Sequence, residues 1–136
     1  MSAPRVRLVW SGEDLVFDGE VEDGPTLRVD SAGAAGPSPT QLLLFSLAGC
    51  MGVDVRLILE KSRVPVEFLE VTVDGDRAST EPRRFETLRL GFRLRGPSED
   101  DHGKIERAVQ LSRDKYCSVL HTLDPELELV VRIERA

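Results

Sequence analysis

The chain has 136 residues, enough for one domain that buries roughly two-thirds of its unfolded surface around a single core. Its 31% charged residues are well mixed, and its net charge of −6 argues against nonspecific nucleic-acid binding, which needs a basic patch. No charged leader with an apolar core follows Met1, so a cytoplasmic location is expected. The two cysteines are too few for a disulfide framework and suit redox or metal chemistry better.

Taken in order, Val6, Leu8 and Trp10 alternate with polar partners, as in a half-buried strand. Ser11 to Asp14 is a turn, Leu15 to Val21 reads as the returning strand of a hairpin, and Asp23-Gly24 leads to a third strand over Thr26 to Asp30. Ser31 to Pro39, SAGAAGPSP, forms a loop that feeds a helix. Ser38 caps that helix, Pro39 suits its first position, and Gln41 completes a capping box.

From Leu42 to Val53 the helix is apolar or small on every side, which predicts burial all round. The run of about 12 residues falls short of the roughly 20 that span a bilayer, so no membrane association is expected. Cys50 lies in this run between Gly49 and Gly52. Each glycine costs a helix roughly 1 kcal/mol relative to alanine, so close approach of another element or a substrate is implied.

Lys61 and Arg63 suit the helix C-terminus, and Pro65 forbids continuation. Leu69, Val71 and Val73 alternate as a strand whose register begins after Phe68, with a turn or bulge at Asp74-Gly75-Asp76. Leu88, Leu90, Phe92 and Leu94 form a period-two strand closed by Gly96-Pro97. Ser98 caps a second helix whose inward stripe is Ile105, Ala108, Val109 and Ser112, and whose charged side is a solvated face. Tyr116 to His121 is a short helix or a kinked continuation. Leu127, Leu129, Val131 and Ile133 complete the pattern as a final strand. The order β-β-β-α-β-β-α-β, with mostly hairpin-linked strands, predicts an α+β fold in which helices pack on antiparallel sheet.

Cys50 thus sits within a buried helix and Cys117 at or near the start of another, where free amides favour a thiolate. Brought together, two such thiols could cycle between dithiol and disulfide. Alternatively, each could be a plain core filler. Cys117, His121 and Cys50 offer three zinc-type donors, but His102 lies in a polar helix start and no fourth ligand is evident, so no metal and no cofactor are expected. Asp54, one turn after Cys50, could accept a hydrogen bond or pair with a basic group, although such a residue more often marks where a helix emerges to solvent.

The pattern G-x-S-P-x-x-L-L-x-x-x-L-x-x-C from Gly36 to Cys50 is followed by a second cysteine before a short apolar helix and a last strand. In this it resembles the OsmC/Ohr family. The resemblance implies a single OsmC-like domain over residues 1–136, an intertwined homodimer around the long central helix, and reduction of organic hydroperoxides. Cys50 would be the peroxidatic and Cys117 the resolving cysteine, with a cellular dithiol, such as a lipoyl-type group, as reductant. Two departures stand out. Thr40-Gln41 occupies the segment where the characterised peroxidases place a glutamate, and their N-terminal arginine has only Arg5, Arg7 and Arg28 as unassigned candidates. Without a positioned arginine, the Cys50 pKa is expected to stay near the ordinary thiol value of about 8.5. A dimer that binds a small apolar or acyl ligand, and a thiol redox sensor or acyl-transfer protein, are the alternatives.

Overall fold

The structure, a computed structural model, describes all residues from 1 to 136, and they form two compact units, Met1–Leu43 and Leu44–Ala136. In the first unit, β1 (Val6–Trp10), β2 (Val16–Val21) and β3 (Thr26–Asp30) make an antiparallel meander. Val6 pairs with Val21 and Val16 with Asp30. The expected strands are present, but β1 is not half-buried. Val6, Leu8, Val9 and Trp10 are all exposed, as is Leu27 of β3.

The SAGAAGPSP loop is tied by a carboxylate. Asp30 is buried, and its two oxygens accept the amides of Ala32 at 2.9 Å, Ala34 at 3.2 Å and Ala35 at 2.9 Å. These amide bonds hold its carboxyl below the usual range against the opposing effect of desolvation. Gly36 is required where the loop returns, since a Cβ there would lie 2.1 Å from the Arg28 carbonyl oxygen. Helix α1 (Pro39–Lys61) then starts with the expected capping box. The Ser38 amide donates to Gln41 Oε1 at 2.9 Å, and the Gln41 amide donates to Ser38 Oγ at 3.3 Å.

In the second unit, α1 carries Leu47, Met51, Val55 and Leu59 on one buried face. This spacing of three to four residues is one helical stripe. These side chains share a core with Leu88, Leu90, Phe92 and Leu94 of β5 (Phe85–Arg95) and with Ile105, Ala108 and Val109 of α2 (His102–Leu111). The expectation of burial all round is corrected. On the remaining faces Phe45 is 66% exposed, Val53 58% and Leu57 49%, so apolarity there is not used within this chain. The apolar run also understated the helix. The whole helix of 23 residues is long and apolar enough to cross a membrane by length and composition. What the structure shows instead is a packed core face.

Helix α1 closes with Arg63 in the left-handed region at φ 59° and with the Val64 amide bonded to the Leu59 carbonyl at 3.0 Å. Strand β4 (Phe68–Arg77) follows after Pro65, with its register slip at Asp76/Arg77, at the edge of the expected bulge. β4 and β5 are antiparallel. The expectation of antiparallel sheet fails at β6 (Glu128–Arg135), which pairs with β5 in parallel, Leu88 against Leu129 and Phe92 against Ile133. The connection from β5 to β6 is therefore a crossover and cannot be a hairpin. It contains a turn of 3-10 helix at Glu99–Asp101, then α2, a π-helical turn over Ser112–Tyr116, and α3 (Ser118–Thr122). The anticipated helix start holds, with the Ser98 amide and hydroxyl both donating to Asp101 Oδ2 at 3.2 Å.

Candidate functional site

The crossover places the second cysteine. The buried stripe Ile105, Ala108, Val109 and Ser112 anchors α2 on the core. The chain then widens by one residue, with the Cys117 amide bonding to the Ser112 carbonyl at 2.9 Å, five residues back. Such widened turns recur at functional sites because they re-aim one residue without ending the helical path. Here the re-aimed residue is Cys117, which leaves helical geometry at ψ 99° and caps α3, its sulfur accepting the Leu120 amide at 3.4 Å.

Cys50 and Cys117 are thereby neighbours, both as free thiols, Cys50 half-buried and Cys117 with 0% exposure. Their sulfurs and a carboxylate oxygen of Asp54 all lie within 4.8 Å of one another. Ser118 Oγ lies 3.7 Å from the Cys50 sulfur. Asp54 does not mark an exit to solvent. It is half-buried, and its Oδ2 accepts the Ser112 hydroxyl at 2.8 Å. Ser112 itself is wholly buried.

The two thiols are driven apart in acidity. Partial burial pushes Cys50 up, but donation from the Val119 amide, the Cys117 thiol, and the Ser118 hydroxyl and amide outweighs it. The Cys50 pKa falls below the ordinary thiol value. This corrects the expectation of an unshifted thiol, because the donors come from the start of α3 and not from an arginine motif. Burial is the largest influence on Cys117 and raises it to about 11, with the Cys50 sulfur and the Asp54 charge adding in the same direction against the Leu120 amide. Of the two neighbouring thiols, Cys50 is made more acidic and Cys117 less so.

Other candidates lie elsewhere. His121 Nε2 bonds to the Arg113 carbonyl at 2.9 Å, so Asp54 takes the third place that the sequence gave to His121. Two sulfurs and one carboxylate oxygen form a donor set of zinc type, with three ligands of the four that a closed site needs. Arg7 pairs with Glu20 at 3.2 Å and Arg28 with Asp18 at 3.0 Å, while the Arg5 amide bonds to Glu22. Gln41, in the segment of the family glutamate, is engaged in the cap. Of the two glycines, Gly52 meets β4, where a Cβ would sit 3.3 Å from Val71 Cγ2, whereas Gly49 has open space around it. Ser112 and Ser118 were missed as site residues. Ser112 read as one more member of the α2 stripe, and Ser118 has no local motif.

Residues 31–132 match the family model described as OsmC-like protein. The chain is 35% identical over 126 residues to Protein YhfA of Escherichia coli, covering 92% of each. A hypothetical protein from Aquifex aeolicus has a similar structure, with a TM-score of 0.86 and 31% identity, over 100% of this chain and 98% of that one. An organic hydroperoxide resistance protein OsmC from Legionella pneumophila, at 15% identity and a TM-score of 0.72 over 98% of each chain, shares the fold. The chain belongs to the OsmC-like family.

Proposed function

We propose that the protein is a cysteine-dependent peroxidase that reduces organic hydroperoxides to alcohols, with Cys50 peroxidatic and Cys117 resolving. The observation that carries this reading is the pairing of an acidified, half-buried Cys50 with a buried, protonated Cys117, sulfurs within 4.8 Å. The Cys50 thiolate attacks one peroxide oxygen, the O–O bond breaks, the alkoxide takes a proton to leave as alcohol, and Cys50 becomes a sulfenic acid. Cys117 sulfur then displaces the hydroxyl group, forming the disulfide and water. A cellular dithiol of lipoyl type returns both thiols by exchange.

Leu44, Val119, Leu120 and Leu123 are partly buried apolar side chains packed against the core near these cysteines in sequence, which favours an apolar peroxide over hydrogen peroxide. The whole chain, 1–136, is taken as one OsmC-like domain acting in the cytoplasm as an intertwined homodimer. The exposed Phe45, Val53 and Leu57 of α1 and, taken separately, the exposed apolar residues of β1 support the dimer, since exposed apolar surface marks interaction sites.

The test is intact mass and thiol count of the reduced protein after stoichiometric cumene hydroperoxide, with hydrogen peroxide alongside. Expected are loss of both thiols and of about 2 Da, reversal by a dithiol, and faster reaction with the organic peroxide. Unchanged thiols would overturn the reading. Oxidation without sustained turnover in the presence of dithiol would instead identify a redox sensor. Gln41, which stands in the segment of the family glutamate, keeps that second reading in play.

A further inference from the structure

The proposed cycle leaves one difficulty. Cys117 must act as a nucleophile while fully buried and protonated, its thiol held up at about 11. A thiol in that state reacts slowly unless a neighbouring group removes its proton as the new bond forms. We propose that Asp54 is the proton acceptor for Cys117 in closing the Cys50–Cys117 disulfide. This rests on the peroxidase reading for its oxidant, the Cys50 sulfenic acid.

Three observations support the assignment. Asp54 follows Cys50 by one turn of α1, so both project from one helical face, and its carboxylate lies within 4.8 Å of both sulfurs. That span is no more than one bridging water between two hydrogen bonds. The same residue, Ser112, fixes both partners, donating its hydroxyl to Asp54 at 2.8 Å and accepting the Cys117 amide on its carbonyl at 2.9 Å. The groups that face the carboxylate are Ser112, Cys50 and Cys117. The imidazole of His121 bonds to the Arg113 carbonyl through Nε2, and the carboxylate that stands with the two sulfurs is that of Asp54.

The step balances without a further reagent. The Cys117 S–H bond breaks and its proton passes to Asp54. The sulfur electron pair forms the S–S bond as the Cys50 S–O bond breaks, and Asp54 returns the proton to the departing hydroxide as water. Cys50 sulfur is formally reduced by one electron, Cys117 sulfur is oxidised by one, and Asp54 ends unchanged.

The test uses the full reduced chain and 5,5′-dithiobis(2-nitrobenzoate), so that closure is timed without peroxide. Cys50 releases one thionitrobenzoate on forming the mixed disulfide, and Cys117 releases a second on closing it. Cys50 is blocked during that second phase and does not titrate. Asp54→Asn keeps an oxygen for the Ser112 hydroxyl but removes the base. The first release should stay within about threefold, and the second should slow about 100-fold at neutral pH, with partial recovery in Asp54→Glu. Wild-type closure should be nearly flat across neutral pH. A wild-type rate that rises about tenfold per pH unit from roughly pH 6 to 9, the signature of an unassisted thiol, would overturn the proposal whether or not the variant folds. Equal second phases in Asp54→Asn and wild type would overturn it as well. A wild type that closes with this reagent yet forms no sulfenic acid with cumene hydroperoxide would sink the peroxidase reading alone.

Discussion

The hydroxyl of Ser118 lies 3.7 Å from the sulfur of Cys50, across 68 residues of sequence. It belongs to a group of donors, with the Ser118 and Val119 amides and the Cys117 thiol, that stabilises a thiolate in place of a cationic side chain. Replacing Ser118 by alanine removes one donor and leaves the amides. Cys50 alkylation by iodoacetamide at pH 7 should slow by about three- to tenfold, the worth of one ordinary hydrogen bond of about 0.7–1.4 kcal/mol. An unchanged rate would mean that the amides alone set the reactivity.

Cys117 makes stability fall in alkali. Its folded pKa of about 11 lies above the ordinary thiol value, so above that ordinary value the unfolded chain loses a proton that the folded chain keeps. Folding stability should therefore decline between about pH 9 and 11, while Cys50, with its depressed pKa, contributes stability that is lost as pH falls through its folded value. Urea denaturation of wild type and Cys117→Ala at pH 8 and pH 10.5 checks the sign. The variant should show the shallower alkaline decline.

The two faces of α1 should respond differently to substitution. Met51→Ala and Leu47→Ala open cavities in a core where both residues are fully buried, and each should cost about 2–5 kcal/mol in denaturant unfolding. Phe45→Glu, on an exposed position, should leave the fold of the chain largely intact but shift sedimentation from dimer toward monomer. A monomeric wild type would remove the basis for the intertwined dimer.

Gly36 and Gly49 make a second contrast. Gly36→Ala would force a methyl group against the Arg28 carbonyl at 2.1 Å, and a loss of about 2 kcal/mol or more is expected. Gly49 has nothing within 4 Å, and alanine there should raise helix stability by up to about 1 kcal/mol in a dissociated chain. If α1 packs against a partner at this point, Gly49→Ala should also weaken association, measured as a rise in the dimer dissociation constant.

Most elements were legible because their signals are local. The capping box at Ser38 and Gln41, the alternation of Leu88 to Leu94 and the stripe from Ile105 to Ser112 each declare themselves within a few residues. Pairing is not local. Leu129 and Ile133 alternate identically whether β6 runs with or against β5, so the parallel register had no signature. The same limit applied to the candidate site. Both cysteines stood out by residue type, but Asp54 looked like a helix leaving the core until Ser112, 58 residues away, came within 2.8 Å. Burial of α1 was overread because periodicity reports apolar faces and cannot say which chain covers them.

The parallel pairing of β5 and β6 has a consequence for the chain as it is made. Cys117 lies inside the crossover, and the Arg113 guanidinium reaches forward to the Leu129 carbonyl at 3.0 Å, fastening that segment to β6. Until β6 has emerged and docked, this fastening is missing, whereas Cys50 was synthesised long before. A nascent or truncated chain lacking β6 would therefore present its first thiol without a settled partner, open to irreversible over-oxidation. If Cys117 resolves Cys50 as proposed, protection of Cys50 would be acquired late in synthesis, with the docking of a strand that contributes no side chain to the thiol pair.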